Sequence, residues 1–106
     1  MIKTRIIFYN RNNITLTAHK RQNNTFSISY GEKNKTKIRG TSAIKSTDIN
    51  TLFEGNLLHL RTQYMIDDYN NNHIDMSFPL INIELTDDEK NTLLNFIKEI
   101  EDEYNK

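Results

Sequence analysis

Apolar and polar residues alternate one by one through most of the first third of this chain. The alternation runs from Ile2 to Tyr9, from Ile14 to His19 and from Thr25 to Tyr30. A side-chain period of two is that of a β-strand with one buried face. Asn-rich clusters at 10–13 and 22–24 separate the three segments and supply turns. The pattern predicts a three-stranded antiparallel meander with one solvated face, whose first strand has the more basic outer surface.

The C-terminal segment has the only strong helical period. The sequence from Thr86 to Glu89 is that of a capping box, and its two extra carboxylates suit the positive end of a helix. Apolar residues then follow at spacings of three and four: Leu93, Leu94, Ile97, Ile100 and Tyr104. We expect an amphipathic helix that packs this stripe on one face of the sheet.

The middle of the chain is more mixed. Ser46 to Glu54 predicts one or two helical turns, with Ser46 or Thr47 as N-cap and Gly55 just after the end. The segment 57–66 is ambiguous between helix and strand. Alternating residues around the cluster 69–72 predict a second hairpin, and the apolar set changes phase across Pro79, which indicates a bulge, a bend or an edge position.

These elements together predict the fold class. We expect one α+β domain over residues 1–106, with an antiparallel sheet of about five strands in two hairpin or meander units. A short middle helix and a C-terminal amphipathic helix, packed on one face, complete it.

Composition narrows the classes of function. Cysteine is absent, which excludes disulfides, thiolate metal sites and cysteine nucleophiles. No apolar run approaches the ~20 residues of a membrane span, and the N-terminus has too short an apolar run for a signal peptide. We therefore expect a cytoplasmic protein that does not contact membranes. Abundant Asn, Ile and Lys beside scarce Ala indicate an AT-rich genome, such as that of a low-GC bacterium, a phage or a mobile element.

Charge is divided unevenly along the chain. Residues 1–45 carry ten Lys and Arg against one Glu, for +9, and residues 46–106 carry four against thirteen Asp and Glu, for −9. Surfaces of one sign steer charged partners. The alternative is that the two halves pack side by side and neutralise one another.

The basic half offers one candidate binding surface, the predicted basic patch. Between Gly31 and Gly40 a positive charge stands at every second position, so that a strand would project all of them from one face. Such a row could follow a nucleic-acid backbone, with Tyr9 as a stacking surface. The alternatives are protection of an edge strand and a flexible loop. The patch comprises Lys33, Lys35, Lys37, Arg39, Lys20 and Arg21, with Lys3 and Arg5 widening it.

The acidic half offers a second candidate, the predicted acidic patch. Its carboxylates could imitate nucleic acid and occupy a positively charged groove on another protein. The alternative is an ordinary solvated helix face. The patch comprises Asp67, Asp68 and Asp75 near the second hairpin and Glu99, Asp102 and Glu103 on the final helix.

Catalysis and metal binding have weak support. His73 and Asp75 would share one face of a strand, with His59 across the hairpin, which is a possible carboxylate and imidazole cluster; His19, Asp67 and Asp68 are the other candidates. The alternative, exposed residues near a turn, is the more common. Phosphate loops, nucleophile elbows and helical metal motifs are missing from the sequence. We expect no catalytic residues, no metal and no cofactor.

Two resemblances bear on function. The run 81–89 into a helix resembles the strand-to-helix passage of single-strand DNA-binding proteins of the transcriptional positive-cofactor type, which implies a basic sheet that binds DNA. The Gln-Trp pair usual early in that family's helix is missing, so we treat the passage as generic capping. In size, composition and lack of motifs the chain is also similar to phage inhibitors such as anti-CRISPR proteins.

The leading hypothesis from the sequence is a non-enzymatic binding protein of phage or mobile-element type. It would inhibit a host nucleic-acid-handling enzyme, in the manner of anti-CRISPR or anti-restriction proteins, by contacting a host protein with a basic nucleic-acid groove. The alternative is a single-strand nucleic-acid-binding protein that uses a basic β-sheet face.

Overall fold

The computed structural model describes residues 3–36, 38–65 and 80–106, with every side chain in those ranges except Tyr64 and Met65. Within these ranges nine strands form: β1 Arg5–Arg11, β2 Ile14–Arg21, β3 Thr25–Glu32, β4 Ile38–Gly40, β5 Ile44–Lys45, β6 Phe53–Glu54, β7 Leu57–Arg61, β8 Gln63–Met65 and β9 Leu80–Glu84. A 3-10 helix spans Ser46–Leu52, and the helix α1 spans Asp87–Tyr104.

The strands form two antiparallel sheets. The main sheet has the order β1-β2-β3-β4-β8, with β5 also paired to β3, and the second sheet has the order β6-β7-β9. The buried apolar residues of both sheets and of α1 form one cluster. The predicted α+β class is therefore confirmed, with a sheet, a short helical segment and a C-terminal helix packed on the sheet.

Asparagine forms the tight turns of the meander. Asn12 and Asn13 join β1 to β2 with φ of 57° and 62°, and Asn23 and Asn24 join β2 to β3 with φ of 59° and 62°. Asn adopts this left-handed region more readily than other residues that carry a Cβ. The predicted turn at 10–13 is narrower than expected, because β1 continues to Arg11.

A β-bulge corrects the prediction for β1. The register shifts between Ile7 and Tyr9, so Phe8 and Tyr9 both point into the core and are only 4% and 5% exposed. Strict alternation had placed Tyr9 on the outer surface as a stacking ring. One extra residue in the strand places a second aromatic side chain in a thin core, and Tyr9 is unavailable for stacking there.

The predicted strand between Gly31 and Gly40 does not form as one element. Lys33 and Asn34 lie in a turn, with Asn34 at φ 68°, and only Ile38–Gly40 pairs as a strand. Because the left-handed residue interrupts the extended backbone, the basic side chains cannot share one strand face. Lys37 lies outside the described residues.

The terminal helix begins at the predicted capping box. The Glu89 N–H donates to Thr86 Oγ1 at 3.1 Å, and the Thr86 N–H donates to Glu89 Oε1 at 2.8 Å. The buried stripe differs slightly from the prediction: it contains Leu93, Phe96, Ile97 and Ile100, whereas Leu94 is half-buried and Tyr104 is exposed. Tyr104 is the last residue of the helix.

Arg11 joins the start of α1 to the main sheet. Its Nε and Nη2 donate to the Glu89 carboxylate at 3.1 and 3.0 Å, and Nη2 also donates to the Glu84 carbonyl at 3.1 Å. Its guanidinium lies 4.7 Å from the ring centroid of Tyr9. The hydrogen bond from Arg11 lowers the pKa of Glu89, so the carboxylate that completes the capping box stays ionised.

The middle segment resolves the ambiguous predictions. The N-cap of the 3-10 helix is Lys45, and no side chain makes a capping hydrogen bond there, so neither Ser46 nor Thr47 is the cap. The buried Ser46 hydroxyl donates to the Asn24 side chain instead. Gly55, at φ 61°, turns β6 into β7. The described residues 57–65 contain the strands β7 and β8, separated by Thr62, and no helix; the predicted hairpin around 69–78 lies outside the described residues.

Candidate functional site

The main sheet has one face on the core and an outer face on the opposite side. Leu16, Ala18 and Phe26 point into the core, so the residues that alternate with them, and the residues paired across the strands, lie on the other side. This outer face comprises Arg5, Ile7, Asn10, Thr15, Thr17, His19, Arg21, Thr25, Ser27, Ser29, Gly31, Ile38, Gly40, Lys45 and Gln63.

The charge of the outer face has a single sign. None of the described residues that form it carries a carboxylate, and four are basic. Arg5 pairs with His19 across β1 and β2, while Arg21 pairs with Thr25, which pairs in turn with Lys45. Arg5, His19, Arg21 and Lys45 therefore gather at one end of the face, and we call them the basic cluster.

The pKa of His19 depends on its neighbours in the basic cluster. Partial burial lowers the pKa of His19, and the neighbouring charges of Arg21 and Arg5 lower it further. His19 is consequently neutral at pH 7, and the formal charge of the cluster is carried by Arg5, Arg21 and Lys45.

Hydroxyl groups hold two members of the cluster in place. Arg21 Nε donates to Ser27 Oγ at 2.9 Å, and His19 Nε2 lies 3.0 Å from Ser29 Oγ. Among the described residues of the outer face none is Phe, Tyr or Trp, while Ile7 and Ile38 are 60% and 46% exposed. These groups can donate hydrogen bonds to anionic oxygens, and the imidazole of His19 is the one ring among them.

The structure disperses the predicted basic patch: of its five described members, Arg21 alone lies on the outer face. Lys20 pairs with Phe26 on the core side of the sheet. Arg39 also lies on that side, where its guanidinium is 5.7 Å from the ring centroid of Tyr30. Register decides this placement, since neighbours in a strand point to opposite faces.

Two lysines of the predicted patch lie at the far end of the sheet. Lys35 forms an ion pair with Glu32 at 3.0 Å, which offsets its charge. Lys33 lines a shallow depression with Asn10, Thr15 and Ile38, next to the outer face. Lys33 is thus near the outer face but distant from the basic cluster.

The described part of the acidic patch lies on α1. Glu99, Asp102 and Glu103 are exposed and stand three and four residues apart, so they share one side of the helix. Glu103 forms an exposed ion pair with Lys106 at 3.4 Å. Asp67, Asp68 and Asp75 lie outside the described residues.

The histidines are not brought together in the described structure. His19 lies on the main sheet, whereas His59 lies on the second sheet, with Nδ1 2.6 Å from Asn82 Oδ1 and Nε2 3.4 Å from Glu54 Oε2. His73 is outside the described residues. Within residues 3–36, 38–65 and 80–106 no three potential metal ligands form a group.

Comparison with protein-family models, curated proteins and solved structures finds no match for this chain. Among the helices that the structure describes, none is long and apolar enough to cross a membrane.

Proposed function

We propose that this is a non-enzymatic binding protein that contacts the sugar-phosphate backbone of single-stranded nucleic acid through the outer face of its main sheet. One observation carries the proposal: the described residues of that face include Arg5, Arg21 and Lys45 but no carboxylate. Cations that gather on a face without carboxylates attract a polyanion to that face.

The dimensions of the face suit a short single strand. From Thr15 to Arg21 the strand β2 advances about 20 Å at ~3.4 Å per residue, which is comparable with a few extended nucleotides. Hydroxyl groups of Thr15, Thr17 and Ser29 lie along this path. Since no described Phe, Tyr or Trp lies there, phosphate contacts rather than base stacking supply most of the affinity, and binding is insensitive to sequence.

The proposal is tested with a charge-matched pair of variants. The triple variant Arg5→Ala, Arg21→Ala and Lys45→Ala removes the cluster's formal charges, and the control variant Arg61→Ala, Lys98→Ala and Lys106→Ala removes three exposed charges elsewhere. Fluorescence anisotropy with a labelled oligonucleotide should show loss of binding only in the first. Equal affinity of the two folded variants would contradict the proposal.

A second candidate function keeps the inhibitor hypothesis. The last turn of α1 contains acidic residues and no basic residue, although the helix dipole there disfavours negative charge by up to about 1 kcal/mol per group. Carboxylates retained against local electrostatics are typical of functional positions. Glu99, Asp102 and Glu103 would then occupy the basic groove of a host nucleic-acid-handling enzyme.

The inhibitor hypothesis has its own test. A pull-down from host lysate with and without nuclease separates a protein partner, which survives nuclease, from nucleic acid, which does not. Reversal of Glu99, Asp102 and Glu103 to Lys should abolish capture of the protein partner and leave the fold intact, because exposed charges contribute little to stability. Full capture by the folded reversal variant would reject this mechanism.

A further inference from the structure

Two groups of charged side chains have no ion-pair partner among the described residues. On the outer face these are Arg5, Arg21 and Lys45. On the helix they are three exposed carboxylates that stand 11 and 3 residues apart, close to whole helical turns, and so lie along one side of it. We call these carboxylates the acidic side of α1: Asp88, Glu99 and Asp102.

Within one chain the two groups cannot neutralise one another. The buried residues of α1 belong to the same core cluster as Leu16 and Phe26, so the helix covers the core face of the main sheet. Its acidic side is turned away from that cluster, and the outer face is directed the other way. These opposite charges can therefore meet only between two copies of the chain.

The charge balance favours such a meeting. Residues 87–104 of α1 carry seven carboxylates against two lysines, while the described outer face has cations and no carboxylate. The formal net charge of the whole chain is zero, so two copies do not repel one another as bodies. Complementary surfaces then orient the encounter of one copy with the next.

The lengths of the two surfaces agree. The 18 residues of α1 extend about 27 Å at ~1.5 Å per residue, and the 8 residues of β2 extend about 27 Å at ~3.4 Å per residue. Asp88 and Asp102 are separated by about 21 Å along the helix axis. Along β2, the basic cluster lies about 20 Å from Thr15, which shares a depression with Lys33. Both ends of the acidic side can thus face a cation at once.

We propose that the outer face of the main sheet is a docking surface for the acidic side of α1 of a second copy. The C-terminal half of that helix lies over the basic cluster. Because the contact joins two different surfaces, it leaves one outer face and one acidic side free at the ends, and association is open-ended. A single helix laid on a sheet buries little area, so the contact belongs to the weak, transient class.

The contact itself requires no nucleic acid, whereas its consequence rests on the proposed function. Carboxylates seated on the outer face occupy the surface that we propose for phosphates. Self-association and strand binding then exclude one another, and the protein's own helix acts as a competitor that nucleic acid displaces.

Sedimentation velocity of the unmodified protein measures the association. Near 0.01 M salt the average mass should rise above the 12.5 kDa of one chain as protein concentration increases. It should return to one chain near 1 M salt, since the Debye length falls from ~30 to ~3 Å. A single-chain mass at low salt up to about 1 mM protein, or association that salt strengthens, would overturn the docking surface.

Two complementary variants test the geometry of the contact. The helix-neutral variant carries Asp88→Asn, Glu99→Gln and Asp102→Asn, and the face-neutral variant carries Arg5→Ala, Arg21→Ala and Lys45→Ala. Each alone should remain a single chain where the unmodified protein associates. Their equimolar mixture should form a 1:1 complex, because the first supplies an intact outer face and the second an intact acidic side. Absence of this complex, with both variants folded by circular dichroism, would contradict the proposal.

A matched control separates the acidic side from net charge. Asp48→Asn, Glu54→Gln and Glu84→Gln together neutralise three exposed carboxylates outside α1. This variant should associate as the unmodified protein does. If it lost association as fully as the helix-neutral variant, net charge would be the cause and the docking surface would be wrong.

A short single-stranded oligonucleotide distinguishes failure of the docking surface from failure of the proposed function. The strand should disperse the associated protein, and dispersal would support the shared use of the outer face; a strand that bound without dispersing it would overturn that sharing. If the complementary variants paired but no strand bound the helix-neutral variant, whose outer face is free, the docking surface would stand and the proposed function would be wrong. If a strand bound but the variants did not pair, the docking surface would be wrong and the proposed function would stand.

Discussion

Truncation of Ile97 tests whether α1 covers the core face and so leaves the outer face as the free surface of the main sheet. Ile97 is 1% exposed in the middle of α1. Ile97→Ala removes three carbon atoms, worth about 2.4 kcal/mol at ~0.8 kcal/mol each. The cavity that remains after the neighbouring side chains partly relax costs about 24 cal/mol per Å³. The total loss of stability is then about 3 to 4 kcal/mol.

Chemical and thermal unfolding measure this loss. An entropy of unfolding of about 2.1 cal/mol/K per residue gives a chain of this length a fall in Tm of roughly 4 to 5 °C per kcal/mol, so Ile97→Ala should lower Tm by about 15 °C. Lys98→Ala is the matched control, because Lys98 is the exposed neighbour on the same helix and its loss should change stability by less than about 0.5 kcal/mol. Equal melting temperatures for the two variants would show that α1 is not docked as described.

Three further outcomes follow from the structure. Thr86→Ala removes the N-cap acceptor of α1 and should cost about 1 kcal/mol in urea unfolding; an unchanged midpoint would contradict the capping box. His19 has a lowered pKa, and Arg5, Arg21 and Lys45 are the charged groups that share its end of the face. A bound anion favours protonated His19, so oligonucleotide affinity should rise as pH falls below about 6.5. Stability should fall over the same range, because the unfolded chain takes up the proton more readily than the folded one. His19→Gln should remove both trends. The pKa of Glu89 is lowered, chiefly by its hydrogen bond from Arg11. The ionised carboxylate therefore contributes to stability above the ordinary Glu pKa of 4.5, and this contribution is lost as pH falls below that value. Stability between pH 3 and 7 should vary less in Glu89→Gln than in the unmodified protein, and identical pH profiles would contradict this role of Glu89.

Local patterns were enough to predict much of the fold. The period of two placed Leu16, Ala18, Phe26 and Ile28 in the core, and the capping box placed the start of α1, because these features depend on neighbours in sequence. The bulge at Phe8 was not predictable in this way. It depends on the fit of two aromatic rings to the core, which alternation does not encode.

Two errors at the candidate site have a physical origin in backbone conformation. The alternating charges from Lys33 to Arg39 have a strand's period, but Asn34 adopts a left-handed conformation and interrupts the strand. Lys20 and Arg21 are adjacent in sequence, yet the register of β2 sends them to opposite faces.

The basic cluster was only partly visible in the sequence. Arg5, His19 and Arg21 all stand at polar positions of the alternating pattern in their strands, so the sequence indicates that they face away from the core. Lys45 reaches the same surface through the pairing of β5 with β3, a contact between distant segments that no local pattern indicates. The hydroxyls of Ser27 and Ser29 gain a role only once their distances to Arg21 and His19 are known.

The salt dependence of oligonucleotide binding tests the central claim most directly. Three formal cations on the outer face, at ~0.7 ions released per contact with a single strand, give a slope of log K against log salt near −2. The triple variant Arg5→Ala, Arg21→Ala and Lys45→Ala should bring the slope close to zero, and the control Arg61→Ala, Lys98→Ala and Lys106→Ala should leave it near −2. A slope that stays near −2 in the first variant, or the absence of oligonucleotide binding by the unmodified protein at low salt, would contradict the outer face as a nucleic-acid-binding surface.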